Sequence, residues 1–375
     1  MLPVKIPPQH LPYINGINYL AIEPSEDRSS SGVYILDVER MFDGIEPELH
    51  EIATSGAPVI LYAGTEAVSW NKWRHDQPEL HDFMQSIRGD RFFAVLSPAQ
   101  GRLAVDTYPG AYWIHNHWEH ETWKMCGHWI NLPGPKRRFV NEYLFLSRRT
   151  THDRMWLYYT IRNRGLDAMC SVGWRNYWGD DNTGPDYARW VEQRLHWYPE
   201  PEAALRWFDA QAEKNTMDCF EKLPDRYERE YCHSDAGDIY GAEGLFNVHQ
   251  DTRVNIVADS AATRTHAHMI HTEKLWRSIC AGQHTIAFGQ VGYYHQLAEM
   301  GYPVNPPHWD LEDQIPIRLN RFMRSVESQA QLIDIPGAQQ TLKSRVQQNP
   351  LPRELRRYGQ APSREAVQPP KAVYG

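Results

Sequence analysis

The 375-residue chain lacks any apolar run near the roughly 18 residues a bilayer-spanning helix needs. Its first ten residues, MLPVKIPPQH, lack the basic, apolar and small-residue succession of a secretory signal. The expectation is a soluble cytoplasmic protein with no membrane span. Cysteine is scarce: Cys126, Cys170, Cys219, Cys232 and Cys280 form no CxxC pair and are odd in number. That pattern fits buried free thiols in a reducing compartment rather than a disulfide framework. Basic charge is also in deficit, with 39 Lys+Arg against 47 Asp+Glu and a formal charge of −8. A generally acidic surface repels phosphate, which excludes a nucleic-acid coat protein. The deficit is uneven. From Lys343 onward seven bases face two acids, a net of +5, which leaves −13 on the first 342 residues.

What is abundant is aromatic and imidazole: 14 Trp, 20 Tyr and 18 His. Such a supply builds a large core or lines a pocket for sugars or bases. The apolar pattern is that of an α/β chain. Strand-like runs at 33–36, 57–62 and 91–96 alternate with helix-like periods at 45–55 and 79–88, the signature of a parallel sheet. Residues 131–138, NLPGPKRR, carry two Pro and a Gly before a cluster of three basic residues and read as a linker. A second α/β series follows: strands at 139–146, 168–172, 254–257 and 284–288, and helices at 153–164, 203–215, 272–281, 291–300 and about 311–334. Residues 218–250 are polar without a clear period. The expected domains are therefore 1–130, the linker 131–138, a second domain 139–335 and a basic, Pro-rich, extended tail 336–375. The tail is either merely solvated or a tether to a polyanion.

In open parallel sheets the ligand lies outside the carboxyl ends of the strands, so the residues that follow each strand deserve the closest reading. After the 254–257 strand, Thr272 suits an N-cap, Leu275 and Ile279 share a face, and Gly282 suits a C-terminal turn. Free N–H groups, the Thr272 hydroxyl and the Lys274 ammonium would then converge as an anion site. The same residues also read as an ordinary capped amphipathic helix. After the 139–146 strand, Arg148, Arg149 and Arg154 cluster where strand gives way to helix. They form either a diphosphate clamp or a solvated basic turn.

The order of a strand, Ser147, a basic loop, Arg154 and a helix, followed by TEKLWRSICAGQHTIAFGQVGYYHQLAEMGY over 272–302, resembles a known donor-binding domain. It is similar to that of α-1,3-fucosyltransferase-type glycosyltransferases, and closer still to glycosyltransferase-like proteins of bacteriophages and other viruses. The resemblance spans roughly 139–335 with gaps; over 1–130 it rests on the α/β pattern alone. It implies a GT-B fold, with two Rossmann-like domains facing a cleft and a C-terminal helix packing back on the first. It further implies inverting, metal-independent transfer from a nucleotide-sugar donor that is UDP-, GDP- or CMP-linked. Lys274 and Arg154 would bind the donor diphosphate, Thr272 would share that helix terminus, and Glu273 would contact the ribose or sugar. Arg149 lies near enough to assist. The sequence departs from the family at His284, where Pro is usual, and lacks the family's acidic run after Tyr302; Asp310-Leu311-Glu312-Asp313 is a candidate replacement.

Glycosyl transfer also needs a base for the acceptor, in the first domain and after a strand. Glu66 in AGTE is the best-placed carboxylate, with His115, His117 and Glu119 in reserve; an exposed loop Glu is the plain alternative. A different reading comes from His115-x-His117-x-x-His120 and His266-x-His268-x-x-His271, whose spacing suits zinc and a metallohydrolase. No acidic ligand completes either set. A third reading retains the scaffold as a virion or interaction protein without catalysis. If the chain is phage-encoded, the acceptor is a modified DNA pyrimidine, a glycan or a protein. Trp113, Trp118, Trp123 and Trp129 would suit a sugar or a flipped base equally.

Overall fold

The computed structural model describes, within the first 124 residues, 4–5, 33–37, 47–54, 59–62, 92–95, 112–114 and single helical positions among 79–86 and 119–123. Beyond these it describes 126–132, 139–147, 151–173, 192–214, 243–259 and 271–348, with 219–221, 223–224 and 227. The chain divides into two compact units. The first comprises Met1–Lys124, His266–Ile270 and Ser344–Gly375; the second comprises Met125–Thr265 and His271–Lys343. The first division thus falls before the Pro-rich stretch read as a linker, of which 133–138 lie outside the described residues.

The first unit carries β1 (Val4–Lys5), β2 (Val33–Asp37), β3 (Val59–Tyr62), β4 (Phe92–Val95) and β5 (Tyr112–Ile114), and helix α1 (Pro47–Thr54). The five strands pair parallel in the order β1-β2-β3-β4-β5. Leu49 and Ile52 are the buried face of α1, the spacing that marked it as a helix. Among the described strands the order does not reverse, so they show no switch point of the Rossmann-like kind.

The second unit is built on β6 (Asn141–Ser147), β7 (Ala168–Gly173), β8 (Cys219–Glu221), β9 (Thr252–Ala258) and β10 (His284–Phe288). Its order is β10-β9-β6-β7-β8, four parallel strands with β8 antiparallel at the edge. In chain order this is a 3-2-1-4-5 arrangement, and the order reverses between β6 and β9. Tyr143, Leu144 and Phe145, then Val254, Ile256 and Val257, then Ile286, Ala287 and Phe288 are buried without alternation. Strands covered on both faces read that way.

Helices α2 (His152–Asn163), α3 (Pro201–Lys214), α4 (Glu243–Gln250), α5 (Glu273–Cys280), α6 (Tyr293–Glu299), α7 (Ile315–Glu327) and α8 (Ile335–Gln347) complete the described elements. Helix α5 buries Leu275, Trp276, Ile279 and Cys280. It closes in a Schellman turn: Gly282 at φ 69 donates to the Ile279 carbonyl and Gln283 to that of Ser278, 3.0 Å each. The stretch read as one helix over 311–334 is shorter: α7 stops at Glu327, where Gln329 turns at φ 50. The tail assigned to 336–375 begins as α8, with Ile335, Ala338 and Leu342 buried; 349–375 lie outside the described residues. Cys126, Cys170 and Cys280 are buried, and burial pushes the Cys126 thiol up to about 11. Among the described residues no helix is long and apolar enough to cross a membrane.

Candidate functional site

The carboxyl ends of β6 and β9 are neighbours at the point where strand order reverses. Two of the sequence-selected groups follow those ends. Arg154 is the third residue of α2, after β6, and is buried at 3% exposure rather than solvated. Thr272, Glu273 and Lys274 open α5, after β9. Arg149 and Glu66 lie outside the described residues.

The start of α5 is more committed than the sequence implied. Thr272 holds the extended N-cap conformation, but its hydroxyl makes no capping bond and accepts instead from Lys274 Nζ at 3.3 Å. Its backbone N–H donates to both oxygens of Asp259, at 3.0 and 3.3 Å. One donor expected to be open, the Thr272 N–H, is thus already taken by a buried carboxylate. Lys274 Nζ also donates to Glu273 Oε1 at 2.8 Å. Burial alone would raise the Glu273 carboxyl, but the Lys274 ammonium and the Arg277 guanidinium outweigh it and hold it at about 2. Glu273 is therefore ionised throughout the neutral range and anchors Lys274. An ammonium has three N–H donors, so one remains for a ligand after these two bonds.

Sequence reasoning missed the residues that tie this edge together. Asp259 follows β9, is 1% exposed, and accepts the Tyr293 hydroxyl at 2.6 Å. Burial first, then the Asp259 charge, pushes the Tyr293 phenol well up, so it stays a neutral donor. Gly289 makes the approach feasible, since a Cβ there would run into the Tyr293 ring. On α6, Asp310 Oδ2 accepts the backbone N–H groups of Tyr294 and His295 at 3.0 and 3.1 Å and His295 Nδ1 at 2.8 Å. The acidic run 310–313 is thus partly absorbed by the fold: Asp310 is buried, and Glu312 accepts from Arg321 at 3.1 Å and from the Gln314 N–H at 3.2 Å. Arg318 is fully buried with its guanidinium 4.7 Å from the Phe288 ring centre. Burial lowers its basicity below the usual guanidinium range, and the Asp153, Asp310 and Glu312 charges oppose that only in part.

His152, the first residue of α2, is held at about 4 by burial and by the Arg194 charge, so its ring is neutral. His284, the departure from the family's Pro, starts β10 and so lies at the strand end away from these groups. Of the six histidines in the two HxHxxH sets only His271 is described. It is 0% exposed, pairs through Nε2 with the Tyr293 carbonyl at 3.1 Å, and packs 4.3 Å from the Tyr293 ring. Nε2 acts as donor there, which makes it unsuited to a metal in that state. Among the described residues no group of three or more metal-ligating side chains forms. Glu119, a reserve base, is 0% exposed and bound by Arg345 through two bonds of 2.9 and 3.3 Å.

No protein-family model, no curated protein and no solved structure matches the chain.

Proposed function

We propose that the protein is a glycosyltransferase whose second unit binds a nucleoside-diphosphate sugar at the carboxyl edge of β6 and β9. The observation that carries this reading is the placement of Arg154 and of the Thr272–Glu273–Lys274 group after two adjacent strands at the reversal of strand order. That is where mononucleotides sit in doubly wound sheets. Transfer is inverting and metal-independent in this reading, and the acceptor is a hydroxyl on a modified DNA pyrimidine, a glycan or a protein.

The chemistry asked of this edge is leaving-group stabilisation. Breaking the bond from the sugar to the diphosphate builds negative charge on phosphate oxygen. A cation ~4 Å away at a near-surface effective dielectric contributes roughly 4 kcal/mol before desolvation. Arg154 offers a planar fork of donors, and Lys274 offers its remaining N–H. Glu273, held ionised, keeps the ammonium seated between ligands and is placed to accept a ribose or sugar hydroxyl.

The test is calorimetric titration of UDP, GDP and CMP into the full chain and into Lys274→Ala and Arg154→Ala. Wild type binds one nucleotide, and each variant loses at least tenfold in affinity while keeping its circular dichroism. Equal affinity in all three proteins would sink the proposal.

A further inference from the structure

We propose that His295 and Asp310 form a proton-transfer dyad serving the leaving diphosphate, an inference that rests on the donor-binding reading above. Asp310 is 1% exposed, and its Oδ2 is pinned by two backbone N–H groups of α6, so the carboxylate cannot swing away without unpairing them. The backbone adds a further tie, Gly292 N–H to the Asp310 carbonyl at 2.7 Å. A carboxylate only accepts, so the 2.8 Å contact places the proton on His295 Nδ1 and leaves Nε2 as the ring's outward nitrogen. The side chain carrying it is 44% exposed. Capping the start of α6 requires only the backbone N–H groups of 294 and 295, which any residue there would supply. The imidazole is additional to that structural task, and an oriented, half-exposed ring backed by a buried carboxylate is the arrangement that proton transfer uses.

The helix that carries it starts at the carboxyl end of the sheet. Helix α6 follows β10, beside β9, and Tyr293 at its start reaches the same Asp259 that holds the Thr272 N–H. In the proposed step the protonated ring presents Nε2–H to the phosphate oxygen that bridges to the sugar. The carbon–oxygen bond breaks with its electron pair passing to that oxygen, which takes the Nε2 proton. The acceptor oxygen forms the new bond to the sugar carbon and gives its own proton to a base. His295 is left neutral with Nδ1–H still on Asp310, and water returns the proton to Nε2 before the next turnover.

The experiment uses the full chain with UDP-glucose, UDP-galactose, GDP-mannose and GDP-fucose, following nucleotide release, and titrates UDP and GDP separately. His295→Ala is exposed enough to fold, binds UDP or GDP within twofold of wild type, and loses at least 100-fold in turnover, part of which added imidazole restores. Turnover within about threefold of wild type, or a loss that imidazole does not relieve, overturns the dyad while leaving the donor reading standing. Absence of both nucleotide binding and turnover in wild type overturns the donor reading and the dyad with it. For Asp310, a positioning residue, nitrogen-15 spectra of histidine-labelled protein give the readout. Asp310→Asn relaxes the Nδ1–H preference in the resonance missing from His295→Ala, and an unchanged tautomer removes Asp310 from the role.

Discussion

Glu273→Gln isolates the electrostatic design of the α5 terminus. The substitution keeps the shape and an acceptor for Lys274 Nζ but removes the charge that pairs with Lys274 at 2.8 Å and with Arg277. Glu273 is nearly buried, so screening by water is modest. Holding its carboxyl at about 2 instead of 4.5 corresponds to about 3 kcal/mol of folding free energy at neutral pH. The sign follows from the direction. A carboxyl depressed in the folded state contributes fully above its unfolded value, and that contribution disappears as pH falls toward the folded one. Wild type minus Glu273→Gln is thus expected to be about 3 kcal/mol at pH 7, about half of that near pH 3, and close to zero at pH 2. Urea titrations followed by tryptophan fluorescence at pH 7, 5, 4 and 3 measure it. Other carboxylates titrate in the same range, but they are common to both proteins and cancel in the difference. A difference constant from pH 7 to pH 3 would refute the assignment of that energy to the Glu273 charge.

Two further perturbations probe the frame around the site. Gly289→Ala places a Cβ inside the Tyr293 ring, which is 0% exposed and tied to Asp259 and His271, so neither side can yield. The expected loss is about 3 kcal/mol in urea unfolding, and a midpoint equal to wild type would contradict the packing. Arg345→Ala removes the guanidinium that makes two bonds to Glu119 within the first unit and leaves a carboxylate that is 0% exposed. A loss of about 3 kcal/mol is expected, against no more than a few tenths if the pair behaved as an exposed one.

How much of this was legible in the sequence depends on the range of the interaction that decides each part. The run from β9 to β10 read correctly because each cue is local: an unbroken apolar strand, an N-cap Thr272, the paired faces of Leu275 and Ile279, and Gly282 past the helix end. Strand β8 did not, because its three residues are held by a distant partner: Glu221 accepts from Tyr158 at 2.8 Å and from Arg162 Nε at 3.0 Å. Helix α8 was hidden because its segment was read together with the Pro-rich tail that follows it, although Ile335, Ala338 and Leu342 keep helical spacing. The site divides likewise. Arg154, Thr272 and Lys274 were singled out because they open the helices that come next after strands β6 and β9. Asp259 also follows one, but its role lies in a bond to Tyr293, 34 residues away, and His295 gains its meaning from Asp310, 15 residues away. No periodicity encodes such pairs.

The burial of charge at one sheet edge carries its own argument. Asp153, Arg154, Asp259, Asp310 and Arg318 are each 3% exposed or less, and Glu273 is 9% exposed. They come from the segments after β6, β9 and β10, and Arg318 feels both Asp153 and Asp310. Withdrawing an ion from water costs several kcal/mol, and well-packed apolar residues of similar volume would be as stable or more so. Stability alone therefore does not account for this set, whereas clustering of such groups is common where a charged ligand is handled. The balance of signs matters as much as the burial. Glu273 already holds Lys274 and Asp310 already holds His295, so under the donor-binding proposal a diphosphate competes with these carboxylates for donors. The net charge of −13 on the first 342 residues adds long-range repulsion. Specificity for phosphate at such an edge has to come from short directional bonds rather than from attraction at a distance. Nucleotide affinity should accordingly depend far more on the forked donors of Arg154 and the remaining N–H of Lys274 than on ionic strength.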